Sequence, residues 1–149
     1  MINEIISYSL IFSGFIIGLG AVTVIDILGF LGRNSRYWTE ATIRTHKVTK
    51  PLIWIGIILL TLGTIYSGVL LFSHKYFFYL KIIFIIVLIL NGLFLSFYVS
   101  PYLIRQEKLG KSDNTLPFQL QLKITISFLI SVIFWWSLFA INIYELTIK

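Results

Sequence analysis

YLKIIFIIVLILNGLFLSFYVSPYLI, residues 79–104, carries one charge, Lys81, and is otherwise apolar but for a few neutral polar residues. A helix rises about 1.5 Å per residue, so roughly 20 such residues cross the ~30 Å hydrocarbon core of a bilayer. Three more blocks meet the same test, at about 5–31, 51–72 and 117–144. Strands are a poor alternative. Lipid offers no partner for the backbone of an open sheet, and a barrel would alternate polar and apolar residues over short segments.

The rest of the composition agrees. Of 149 residues, 58% are hydrophobic and 12% charged, whereas a soluble domain carries roughly 25% charged residues. The sequence therefore predicts an all-α, integral membrane four-helix bundle forming a single domain over residues 1–149. The first block does not read as a cleaved signal: it lacks a basic start and contains Glu4. No cysteine and no glycine at position 2 are present, so thiol chemistry and the common lipid anchors are not expected.

Basic residues set the orientation. Arg33, Arg36, Arg44, Lys47 and Lys50 fall between the first two spans, and Arg105, Lys108, Lys111 and Lys123 around the third connection; only Lys75, Lys81 and Lys149 fall on the other side. Loops 33–50 and 105–116 are expected in the cytoplasm of a multi-pass plasma or inner membrane protein, with both termini outside. Topology thus accounts for the net charge of +6, and no nucleic-acid partner is expected. The bilayer itself is a partner, and the basic 33–50 loop is expected to attract anionic lipid.

Within that loop, residues 39–50 read as a short amphipathic helix. Thr39 can cap it, and Glu40 lies one turn before Arg44. Pro51 then either resets the chain or opens the second span. Residues 73–75 form a turn, followed by an aromatic belt at 76–79, and Gly110 followed by 112–115 reads as a helix stop and loop.

Each span has one small or polar face. In the first, Ser7, Gly14, Gly18, Ala21, Gly29 and Gly32 share an arc, with Gly14 and Gly18 forming a GxxxG pair. Thr49, Gly56 and Gly63 repeat at seven in the second, with Ser67 close by. Asn91, Tyr98 and Tyr102 share a face of the third, and Gln119, Lys123, Ser127 and Ser137 one of the fourth. Small residues let helices approach where lipid provides no hydrophobic drive. Gly14, Gly18, Gly56 and Gly63 are therefore helix-packing candidates.

Asp26 is the candidate for chemistry. A carboxylate in an apolar stretch costs at least about 2.5 kcal/mol unless paired or wet. Lys123 and Tyr98 come from spans that bring them to comparable depth, so a polar intramembrane cluster of Asp26, Lys123 and Tyr98, joined by Asn91, is expected, able to relay protons or line a cavity. Snorkelling of Asp26 and Lys123 to the interface is the simpler alternative. His46 and His74 are the haem b candidates. They lie roughly 42 Å apart along a continuous helix, so bis-histidine ligation would need a second chain. No cluster suited to another metal, nucleophile–base pair or phosphate loop is evident, and no catalytic residue is assigned.

The strings GLGAVTVIDILGF, PLIWIGIILL and NGLFLSFYVSPYL resemble a group of small, uncharacterised prokaryotic four-helix membrane proteins. The layout is similar to the copper-resistance D and HemJ-like protoporphyrinogen oxidase types: about four spans, a basic first loop, a proline before the second span and a lysine, Lys81, opening the third. The intramembrane histidines expected of a haem-binding HemJ-like protein are missing, so the resemblance transfers no functional residue. The expected function is a non-enzymatic accessory, assembly or structural subunit that associates with itself or another membrane protein. The alternatives are transport of protons or a small solute through Asp26 and Lys123, and a haem-binding redox protein working as an oligomer.

Overall fold

The computed structural model describes residues 2–32, 36–70, 75–109 and 117–147. Among these residues all regular structure is helical, in four long helices each apolar enough to cross a membrane. We number them α1, Ile2–Leu31; α2, Arg36–Leu70; α3, residues 75–108; and α4, Phe118–Thr147. Two carry a wider, π-helical turn: Phe15–Leu19 in α1 and Leu95–Val99 in α3.

The packing centre is Ile11, Phe15, Val22, Ile57, Leu60, Ile85, Leu88, Trp135 and Leu138, drawn from all four helices. Phe15 meets Phe139 edge-on at 5.3 Å and Phe84 meets Phe134 at 4.9 Å, the tilted geometry that ring quadrupoles favour. The outside is equally apolar. Ile16 and Phe97 are each 76% exposed, one in α1 and one in α3, as a lipid-facing surface requires.

Helices α1 and α2 make the closest approach. A Cβ on Gly56 would run into the Gly18 backbone, and one on Gly14 would lie 2.8 Å from the Gly56 carbonyl oxygen. A Cβ on Gly18 would strike Trp135, and one on Gly63 would lie 2.7 Å from Ile11 Cγ1. The seam reaches the N-terminal end of α1, where the Ser7 hydroxyl donates to the Gly63 carbonyl at 3.0 Å. Not all of the small-residue arc is used inside. Gly29 has open space where a side chain would go, and Gly32 instead adjoins Thr39.

Residues 39–50 are not a separate helix. Helix α2 runs unbroken through Pro51. Proline removes the donor that the Lys47 carbonyl would use, but Ile43 and Thr49 are buried, so this segment packs as a continuation of the span. Thr39 accordingly does not start a helix. It lies inside α2 and donates to the Gly32 carbonyl at 2.7 Å, tying the end of α1 to the first turn of α2. The Glu40–Arg44 pair forms as the spacing predicts. Along α4 the buried stripe is Leu120, Ser127, Ser131, Trp135, Leu138, Asn142 and Glu145. Gln119 and Lys123 are exposed and Ser137 is half-buried, because the large Trp135 and Leu138 side chains fix the face that turns inward. Gly110, residues 112–115 and the turn at 73–74 lie outside the described residues.

Candidate functional site

Polar side chains collect at two levels of the bundle. At the end bearing the N-terminus, Ser7 of α1, Thr64 and Ser67 of α2, Lys81 of α3, and Asn142 and Glu145 of α4 are all buried. Their common level follows from the packing. Phe15 touches Trp135 and Phe139, and about two helical turns from there lead to Ser7 along α1 and to Asn142 and Glu145 along the antiparallel α4. Lys81 Nζ lies 2.7 Å from Glu145 Oε2, with side chains only 1% and 3% exposed. Neither charge can be left alone in such a place, since desolvation costs several kcal/mol per ion. Asn142 Nδ2 donates to the Leu138 carbonyl at 2.8 Å. Asn142 Oδ1 and Thr64 Oγ1 have no partner among the described residues, which suits an ordered water between helices.

This layer was missed in the sequence, where Lys81 counts only as a basic residue opening the third span and the fourth span ends near Tyr144. A signal was available. Ser127, Ser131, Trp135, Leu138, Asn142 and Glu145 step by four or three residues, which places Glu145 on the same face as Trp135.

The second level surrounds the π-helical turn of α3. Its bonding runs from the Ser100 N–H to the Leu95 carbonyl. The next amide would serve Ser96, but that residue is Pro101, which has no N–H. Helix α2 fills the gap. Lys50 Nζ donates to the Ser96 carbonyl at 3.4 Å and Trp54 Nε1 to the Ser96 hydroxyl at 3.2 Å. One turn nearer the middle, Ser127 donates to Asn91 Oδ1 at 2.6 Å while Asn91 Nδ2 donates to the Ser127 carbonyl at 3.0 Å, joining α3 to α4.

Beside this turn, between α2 and the end of α3, lies a cavity of about 190 Å³ lined by Ile43, His46, Lys47, Lys50, Ser100, Leu103 and Ile104. His46 Nε2 is buried without a partner among the described residues. The cavity is below the roughly 300 Å³ at which small-molecule pockets usually begin. His74 lies outside the described residues.

The four residues read from the sequence as one cluster are distributed differently. Lys123 Nζ stands 5.1 Å from the centre of the Tyr98 ring, and Tyr98, 53% exposed, stacks on Phe94. Asn91 bonds Ser127. Asp26 is half-buried, makes no ion pair with Lys123, and has one oxygen, Oδ2, buried without a partner among the described residues. The described residues contain no group of three or more His, Cys, Asp or Glu able to hold a metal. Comparison with protein-family models, with curated proteins and with solved structures finds no match to this chain.

Proposed function

We propose that this protein is a non-catalytic accessory or assembly subunit of a cell membrane, which docks through α1 against another transmembrane helix, its own copy's or a different protein's. The observation that carries this reading is that α1 has two sets of small residues. One set, Gly14 and Gly18, is consumed inside against Gly56, Leu60 and Trp135. The other, Ser9, Ser13 and Gly20, faces outward. A Cβ on Gly20 would meet nothing within 4 Å, and Ser9 and Ser13 line an open groove together with Glu4, Tyr8, Phe12 and Ile16. These residues step by four and by seven, so they share one face of α1, and small residues on such a face let a second helix approach closely. The basic connections face the cytoplasm and the termini the other side, on the strength of the positive-inside distribution.

The absence of cysteine makes the test direct. Ser13→Cys, carrying a photoreactive label and illuminated in native membranes, yields a product of higher mass. Ile133→Cys, 58% exposed on α4, yields none. Equal labelling at both positions, or none at Ser13, defeats the docking reading.

Asp26 favours a second reading, transport of protons or a small solute. An unpartnered carboxylate oxygen buried in a membrane helix is costly, and a carboxyl that binds and releases a proton offsets that cost. Proton flux into proteoliposomes that Asp26→Asn leaves unchanged removes this alternative.

A further inference from the structure

We propose that the cavity between α2 and the end of α3 is a binding site for a phosphate group, with His46, Lys47, Lys50 and Ser100 as its ligands. The donors come from three turns. His46 and Lys50 lie four residues apart and so share a face of α2, with Lys47 adjoining. Ser100 is delivered from the opposite wall by the π-helical turn. No carboxylate lines the space among the described residues. Every polar side chain lining it is a donor or can become one, matching the acceptor-only oxygens of a phosphate.

Two further observations point to an occupant. His46 Nε2 is buried and unpartnered, which is costly for a ring nitrogen unless something fills the space beside it. Lys50 holds the Ser96 carbonyl at only 3.4 Å, a long contact that leaves the ammonium two further protons to donate. A volume of about 190 Å³ holds a phosphate with a short substituent. Ile43, Leu103 and Ile104 supply an apolar wall where such a substituent would leave. The site sits at the end of the bundle where Arg44, Lys47, Lys50, Arg105 and Lys108 gather, the end at which anionic lipid accumulates.

The phosphate can belong to a phospholipid headgroup or be free in solution, and two arms separate the sources. In the first, the full chain is reconstituted in nanodiscs of phosphatidylcholine with a minor fraction of phosphatidylglycerol, and lipid retained after detergent stripping is counted by native mass spectrometry. In the second, inorganic phosphate is titrated into protein in pure phosphatidylcholine nanodiscs and followed by ³¹P NMR. A headgroup source gives retained phosphatidylglycerol and no inorganic phosphate signal; a soluble source gives the reverse. In whichever arm binds, His46→Gln and Lys50→Gln each weaken it roughly tenfold, the size of one lost hydrogen bond to a charged group. Arg44→Gln, on the same helix but outside the cavity, leaves it unchanged. His46→Gln does not touch the Lys50–Ser96 bond, so a folding defect at Lys50→Gln does not spoil the test. Binding that is absent in both arms, or equal in wild type, His46→Gln and Arg44→Gln, overturns the proposal.

Discussion

Lys81 and Glu145 show how much one pair of side chains can decide inside a membrane bundle. Each is buried, so removing either charge strands the other. Glu145→Gln and Lys81→Met are each expected to lower stability by about 3 kcal/mol or more, while replacing both with apolar residues recovers most of that loss. Unfolding in mild detergent followed by circular dichroism measures it, and single variants with wild-type stability would contradict the buried pair. Asp26 behaves in the opposite way. It has no ion pair with Lys123 to break, so Asp26→Leu holds or raises stability, and the Asp26/Lys123 double-mutant cycle gives a coupling near zero. The contrast explains what was legible at this scale. A charge inside an apolar run is visible in sequence, which is why Asp26 stands out. A charge at the edge of a run is not, because snorkelling and burial look alike until a neighbouring helix is present. Lys81 and Glu145 both sit at such edges.

At the scale of the element, the glycines and prolines carry the argument. Gly14, Gly18, Gly56 and Gly63 are readable as packing positions because small residues at helical spacing have few other uses in lipid. Their partners are not readable, since Gly18 meets both Gly56 and Trp135. Gly56→Ala drives a methyl into the Gly18 backbone, which cannot yield, and is expected to cost about 1–3 kcal/mol. Gly20→Ala, with open space around it, is expected to gain up to about 1 kcal/mol from helix propensity. The same unfolding assay compares the two, and similar values would remove the tight α1–α2 seam. The prolines misled the sequence reading in one respect. Pro51 suggests a boundary, yet α2 passes through it, because burial of Ile43 and Thr49 outweighs one missing hydrogen bond. Pro101 leaves a vacancy at the Ser96 carbonyl that Lys50 occupies. Pro101→Ala restores an N–H, so Lys50→Met should cost less in that background than in wild type, by about 1 kcal/mol. Additive effects of the two substitutions would show that Lys50 does not stand in for the missing amide.

At the scale of the molecule, the fold follows from the number and length of apolar runs, and these were legible because the requirement to span a bilayer admits few solutions. The side from which each connection is reached depends on a different signal, the nine basic residues around loops 33–50 and 105–116 against three elsewhere. That distribution makes a sharp prediction in a chain without cysteine. In intact cells, Ser35→Cys and Ser112→Cys are expected to resist a membrane-impermeant maleimide, whereas Ser73→Cys reacts. Permeabilisation makes all three react. Two spans separate Ser35 from Ser112, which ties them to one side whatever the orientation, so opposite behaviour of these two would break the four-span fold. Reaction of both together, with Ser73 protected, would keep the fold and invert the molecule. Inversion would also carry the basic cavity at His46 and Lys50 to the outer leaflet, away from the surface that attracts cationic segments, so the labelling pattern bears directly on which phosphate that cavity can meet.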